Sequence, residues 1–198
     1  MTPRVVLLDS GGANLGSVQA AFARLGVEAP VTSDWNAIRN ATHVVLPGVG
    51  TAAFCMATLR KSGLDRLVPR LTQPLIGICV GMQLLFERSE EGDTECLGLL
   101  PGAVCLLPSS PGIRVPHMGW NRLNLGGATH ALTNGLDRAW AYFVHSYAAA
   151  GSPDTLATSE HGTAFSAVVA RGNVMGAQFH PERSSRPGAT LLRNFLAL

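Results

Sequence analysis

Gly77-Ile78-Cys79-Val80-Gly81 carries the most pointed chemistry in the chain, because it joins the apolar run Pro74–Ile78 to the helical pattern Met82–Phe86. A G-x-C-x-G turn between a strand and a helix matches a nucleophile elbow with cysteine in place of serine. Such a turn is tight and strained, and side chains at either flank would collide with neighbouring backbone, so glycine is required on both sides. The turn lifts the sulfur clear of the sheet edge. The positive end of the following helix, and an imidazolium if one stands nearby, favour the thiolate, and the Val80 amide would point toward a developing oxyanion. A small buried hydrophobe at a strand end is the competing reading of a cysteine. The paired glycines and the strand-to-helix setting favour the nucleophile at Cys79, whereas Cys55, Cys96 and Cys105 have no such setting.

A thiol nucleophile needs a base, and the apolar run Val174–Phe179 ends in His180-Pro181-Glu182. Proline fixes the backbone between imidazole and carboxylate. In a generalised triad, His180 exchanges a proton with Cys79 and then with the leaving amine, while Glu182 sets its tautomer. Taken alone, His-Pro-Glu reads more readily as a solvated turn, and the elbow upstream is what makes it chemical. A third feature, Pro47-Gly48-Val49-Gly50, ends the strand-like His43–Pro47. It suits a second oxyanion donor better than a phosphate cradle, since no G-K-[ST] or G-x-G-x-x-G follows. Pro-Gly alone does not separate that role from a plain turn.

The elements that must position these residues follow from the hydrophobic pattern. Strands are expected at Arg4–Asp9, Val27–Val31, His43–Pro47 and Pro74–Ile78. Helices are expected at Leu15–Leu25 and Ala52–Lys61, with Asp34 as N-cap of a short one between them. Alternation at this pitch indicates a mostly parallel sheet covered on both faces, with the site at the carboxyl ends of its strands. From about Leu97 the runs become β-like: Val104–Leu107, Asn121–Leu125, Ala141–Ala148, Ala164–Ala170 and Val174–Phe179, with a closing helix at Pro187–Leu196. The 198 residues suit one domain spanning 1–198, with no internal repeat or linker.

Composition narrows the class. Hydrophobic residues make up 46% and charged residues 14%, with a net charge of +2, which favours a large buried sheet and a surface covered by a partner. The basic residues are scattered arginines apart from Lys61, so no stripe suggests nucleic acid. The uncharged stretches Asn40–Leu59, Leu71–Phe86 and Cys96–Ile113 carry prolines or glycines at strand-and-turn spacing, against a membrane role. The four cysteines form neither a C-x-x-C pair nor a dense framework, and the histidines show no metal-ligand spacing. No metal and no cofactor are expected. With no secretory leader pattern at the start, the cytoplasm is the expected compartment.

Gly77–Phe86 together with His180-Pro181-Glu182 resembles the triad-type, class I glutamine amidotransferases over essentially the whole chain. Three further segments, Pro47–Gly50, Val115-Pro116-His117-Met118-Gly119-Trp120-Asn121 and Tyr142-Phe143-Val144-His145-Ser146-Tyr147, resemble the glutaminase subunits of imidazole glycerol phosphate synthase. The resemblance implies a flavodoxin-like α/β fold and hydrolysis of glutamine through a γ-glutamyl thioester on Cys79. It implies oxyanion amides from Val49 and Val80, and glutamine contacts from Gln83 and Glu91. It also implies a heterodimer with a cyclase subunit, a β/α barrel. There ammonia would react with a phosphoribulosyl nucleotide to give imidazole glycerol phosphate and aminoimidazole carboxamide ribotide, in histidine biosynthesis. By the same likeness Arg183 lies at the partner interface, with Trp120 and Tyr142 as its expected aromatic neighbours. The chain departs from the family pattern at Ser10 and Ala13, within the usual D-Y-G-x-G-N opening, and at Arg183 and Arg114, where lysine is usual.

Overall fold

The computed structural model describes residues 3–11 and 14–198, so the departure at Ala13 lies outside the described residues. In chain order the first half runs β1 (Val5–Leu8), α1 (Leu15–Ala23), β2 (Val31–Thr32), α2 (Trp35–Asn40), β3 (His43–Gly48), α3 (Ala52–Ser62), α4 (Leu64–Leu67), β4 (Leu75–Cys79) and α5 (Val80–Gln83). The second half runs β5 (Arg88–Ser89), β6 (Thr94–Glu95), β7 (Ala103–Leu106), β8 (His117–Arg122), β9 (Trp140–His145) and β10 (Tyr147–Ala149). It continues with β11 (Thr155–His161), β12 (Thr163–Arg171), β13 (Val174–Ala177) and α6 (Ser185–Leu196).

The main sheet has the order β11-β12-β13-β4-β3-β1-β2. Strands β13, β4, β3, β1 and β2 run parallel to one another, whereas β12 pairs antiparallel with both β13 and the edge strand β11. Strands β1, β3 and β4 are buried along their full length, as continuous apolar runs demand when helices cover both faces. Val18 and Phe22 of α1, Cys55, Met56 and Leu59 of α3, and Leu191, Leu192 and Phe195 of α6 supply that cover. A smaller sheet, β10-β7-β5-β6, and the antiparallel pair β8-β9 stand beside the main sheet. Among the described residues, no helix is long and apolar enough to cross a membrane.

Local chemistry fixes several boundaries. Asp34 caps α2 by accepting the Ala37 amide at 2.6 Å, as expected, and Gly63 ends α3 in the left-handed region. The sequence expectations fail elsewhere for identifiable reasons. The strand expected at Asn121–Leu125 lies earlier, at His117–Arg122, paired rung by rung with Trp140–His145. Its alternation buries His117 and exposes Met118 and Trp120, so its apolar residues face outward and the periodicity misleads. The run Ala141–Ala148 breaks at Ser146, where the chain leaves β9 and crosses as β10 to pair with β7. Strand β11 escaped notice because its inward residues include Ser159 as well as Ala157. The helix expected over Met82–Phe86 is the single turn of α5.

Helix α6 presses on the segment that carries the candidate base. A Cβ on Gly188 would fall inside van der Waals contact of the Pro181 carbonyl oxygen, and that atom is backbone that cannot swing away. Helix propensity alone predicts that Gly188→Ala stabilises the protein. Overpacking predicts the opposite and should dominate, at about 1–3 kcal/mol of destabilisation. Gly16 in α1 has open space around its Cβ position, so Gly16→Ala should instead gain up to about 1 kcal/mol. Urea denaturation of the two variants checks the contrast: a gain from Gly188→Ala would show that α6 does not clamp the base segment.

Candidate active site

Cys79 closes β4 with φ 54° and ψ −113°, a strained conformation for a residue with a side chain. Two backbone segments must nearly touch for this turn to exist. A Cβ on Gly81 would overlap the Leu46 carbonyl oxygen, and one on Gly77 would lie 2.5 Å from the Gly81 oxygen. The glycines flanking the cysteine are therefore required by the crossing of β3, β4 and α5, as their spacing predicts. The Val80 amide opens α5 and has no intrahelical acceptor. Cys79 is only 4% exposed. Its Sγ lies 3.7 Å from the Val144 carbonyl oxygen and 3.9 Å from Gln178 Nε2.

The base arrives from the neighbouring parallel strand. β13 pairs with β4, and three residues beyond the end of β13 the chain reaches His180, whose amide donates to the Tyr142 carbonyl at 2.9 Å. Ser184 secures the segment further by donating its hydroxyl to the His180 carbonyl at 2.7 Å and accepting the Tyr142 amide at 2.9 Å. His180 Nδ1 donates to Glu182 Oε1 at 2.8 Å. That oxygen also accepts Asn14 Nδ2 at 2.6 Å. The Glu182 side chain is only 1% exposed. Burial works to lower the His180 pKa, but hydrogen bonds and charge from Cys79 and Glu182 outweigh it and raise it to about 10. The imidazole is thus held as a cation at neutral pH, facing the sulfur. Burial instead pushes the thiols of Cys55 and Cys96 up to about 11, which leaves these two as inert thiols, and burial with the nearby Glu90 carboxylate raises that of the exposed Cys105.

A cleft of about 560 Å³ opens on this constellation, a volume suited to a small metabolite. Val49, Val80, Gln83, Glu91 and Arg183 all line it together with Cys79 and His180. Gln83 is buried, its Nε2 donating to the Tyr147 carbonyl at 2.8 Å and to Gln178 Oε1 at 3.1 Å. Glu91 Oε2 accepts the Ala52 amide at 2.7 Å. The Val49 carbonyl accepts the Cys55 thiol at 3.5 Å. Trp120 and Tyr142 sit opposite each other on β8 and β9, ring centroids 5.9 Å apart and edge to face.

Arg183 does not stack on that pair. The cation–aromatic contacts among the described residues are Arg39 over Trp35 and Arg122 over Trp140. Arg183 follows the turn that begins at His180, and its exposed side chain borders the cleft instead.

Sequence reasoning missed Asn14, Gln178, Ser184 and the Val144 carbonyl. Asn14 was visible only as the last residue of the opening motif. The other three carry no motif and reach the site through pairing of distant segments. Ser10, one of the departures, is buried and donates to the Pro47 carbonyl at 2.6 Å, so it ties the end of β1 to the start of the Pro47–Gly50 loop.

Glu182→Gln keeps the shape and removes the charge. The raised His180 pKa implies a contribution to stability complete below about 6.5, the unfolded value, and lost as pH rises through about 10. In the variant, His180 should titrate well below its wild-type value by imidazole NMR, and that alkaline loss should shrink. Any thiol-dependent turnover should fall about 10³- to 10⁴-fold, as when a triad loses its orienting carboxylate. An unchanged His180 titration would show that Glu182 does not set its charge.

Residues 6–198 match the family Glutamine amidotransferase class-I. The imidazole glycerol phosphate synthase subunit HisH of Xanthomonas campestris pv. campestris (strain 8004) is 56% identical over 195 residues, covering 98% of this chain and 97% of that one. The subunit of the same name from Xylella fastidiosa (strain Temecula1 / ATCC 700964) is 55% identical over 194 residues, with the same coverage of 98% and 97%. A crystal structure of a glutamine amidotransferase superposes with a TM-score of 0.76 over 98% of this chain and 97% of that one, at 21% identity, which speaks to the fold alone. The chain belongs to the class-I glutamine amidotransferases, and among them to the family of HisH subunits of imidazole glycerol phosphate synthase.

Proposed function

We propose that this chain hydrolyses glutamine and hands the ammonia to a cyclase subunit that makes imidazole glycerol phosphate in histidine biosynthesis. The observation that carries the reading is the line Cys79, His180, Glu182 and Asn14, three of which, Cys79, His180 and Asn14, wall a cleft sized for an amino acid. The name shared by relatives at 55–56% identity supplies the pathway.

The chemistry follows from the charge arrangement. The Cys79 thiolate attacks the side-chain amide carbon of glutamine, and the carbonyl oxygen becomes an oxyanion. The Val80 amide receives it, joined by the Val49 amide once the Pro47–Gly50 loop turns that amide inward. Each such donor is worth about a hundred- to a thousandfold in rate. The His180 imidazolium gives its proton to the departing nitrogen as the C–N bond breaks, which leaves a γ-glutamyl thioester and ammonia. Water then attacks the thioester while neutral His180 takes its proton, and glutamate leaves as the thiolate re-forms. Gln83 and Glu91 contact the bound glutamine. The cytoplasm, which keeps such a thiol reduced, is the compartment this reading assigns.

The partner in this reading is a β/α-barrel cyclase bound as a heterodimer, and the outward faces of Met118 and Trp120, 64% and 50% exposed, are the surface offered to it. Arg183, with Trp120 and Tyr142, flanks the exit. The acceptor is the phosphoribulosyl nucleotide, and aminoimidazole carboxamide ribotide leaves as the second product.

Cys79→Ala should abolish glutamine-dependent synthesis in the assembled complex yet leave synthesis from added ammonium salts intact. Loss of both activities with the complex still assembled would sink the division of labour. Arg183→Ala should raise the glutamine consumed per product formed by a few-fold, with hydrolysis itself surviving, whereas Arg183→Lys should be mild because it keeps the charge. Parallel assays of glutamate and imidazole glycerol phosphate measure the ratio, and an unchanged ratio marks Arg183 as an ordinary solvated arginine.

A further inference from the structure

Strand β8 has two faces with different business. Met118 and Trp120 point outward, whereas His117 is buried and Asn121 turns inward. The inward side chains begin a hydrogen-bonded line that ends on the cleft wall. Asn121 Nδ2 lies 3.3 Å from His117 Nε2, His117 Nδ1 lies 3.0 Å from His145 Nε2, and His145 Nδ1 lies 2.8 Å from the Tyr147 carbonyl oxygen. The same carbonyl accepts Gln83 Nε2, which is shared with Gln178, and Gln178 reaches toward the Cys79 sulfur.

The sense of the line is fixed by its end. A backbone carbonyl only accepts, so His145 must carry its proton on Nδ1. In the neutral ring Nε2 is then an acceptor, and His117 must donate from Nδ1. His117 Nε2 in turn accepts, and the Asn121 amide supplies the hydrogen. The other Asn121 amide hydrogen goes to the Glu160 carbonyl at 2.7 Å, and its oxygen accepts the Arg122 amide at 2.8 Å, so the amide cannot flip without losing both. An added proton on His145 would set two donors face to face at 3.0 Å, and one on His117 would face the Asn121 amide at 3.3 Å. His117 stacks on His161 with ring centroids 4.2 Å apart and on Phe143 with centroids 5.0 Å apart. Stacked rings do not converge their nitrogens on a common point, and among the described residues no trio of ligating side chains is arranged for a metal.

We infer that His117 and His145 form a neutral, one-way hydrogen-bond relay that holds the Tyr147 carbonyl and the Gln83 amide in place on the glutamine cleft, tying that wall to the strand whose opposite face is exposed. His117, His145 and Asn121 are on this reading positioning residues for the hydrolysis, and the inference rests on the proposed glutaminase function. The titratable groups facing the pair are His161 from β11 and His180 of the site. Burial first, and His161 second, lower His117 to about 4; burial, with His117, His161 and His180 acting in the same direction, lowers His145 to about 3, only partly opposed by the Tyr147 carbonyl. The stability that the relay contributes is therefore full above about 6.5 and is lost as pH falls toward those values.

Long-range ¹H–¹⁵N imidazole spectra of the ¹⁵N-histidine-labelled full chain test the relay without any variant. Both rings should appear as neutral Nδ1–H tautomers that do not titrate between pH 5 and pH 8. An Nε2–H tautomer at either residue, or titration near 6.5, overturns the relay. His117→Phe keeps ring bulk and removes the donor. In the variant assembled with its partner subunit, the KM for glutamine should rise roughly tenfold, and kcat should fall much less. His117→Asn, which can still donate to His145 Nε2, should restore most of the KM. A merely structural role would lower Tm in both variants while KM and its pH profile stay at wild-type values, and that result overturns the positioning role. If the wild-type complex hydrolyses no glutamine, the functional reading fails while the tautomer spectra still judge the relay.

Discussion

Everything chemical in this molecule hangs on the backbone crossing at Gly81. The start of α5 lies so close to the Leu46 carbonyl that no side chain fits between them. That contact drives the chain to turn within one residue, and the residue at the turn is Cys79, held at φ 54°. A relaxed turn would release this strain, but it would leave the sulfur inside the sheet edge. The buried, uninterrupted packing of β3 and β4 over-determines the bend and keeps the thiol presented to the cleft.

The second requirement is electrostatic. A carboxylate as buried as Glu182 is costly without a counter-charge and hydrogen bonds. The structure gives it an imidazolium at 2.8 Å and an amide donor at 2.6 Å on the same oxygen. Removing either partner would leave a poorly compensated charge in a dry site. The clamp by Ser184 and the close approach of α6 to Pro181 belong to the same arrangement, since an ion pair of this kind holds its geometry only where backbone on both sides is fixed.

The antiparallel pair β8-β9 joins two environments. Its outward rungs present Met118 and Trp120, an exposed apolar patch that polar surroundings do not explain. Its inward rungs carry His117 and His145, which need neutral rings and fixed tautomers to be satisfied where they lie. Strand alternation therefore puts an apolar surface and a polarised hydrogen-bond line on opposite sides of one strand, carried by adjacent residues. A shift of the strand along its axis would be felt on both sides at once.

The sequence by itself determined the parts whose physics is local. Continuous apolar runs announced β1, β3 and β4, Asp34 announced its helix, and the glycines around Cys79 announced a turn that only small residues can make. His180 and Glu182 were legible because the proline between them fixes their relation two residues apart. What only the tertiary structure decided are contacts between segments far apart in the chain. Asn14 and Glu182 are separated by 168 positions, and Gln83 and Tyr147 by 64. No periodicity encodes such pairs. The inward turn of His117, with Met118 and Trp120 facing out, inverted the pattern from which strands are read, because hydrogen bonds to His145 and Asn121 satisfy a polar ring on the buried face. Arg183 shows the same limit, since its place on the cleft that Cys79 also lines comes from the strand pairing of β13 with β4 rather than from any aromatic neighbour in sequence.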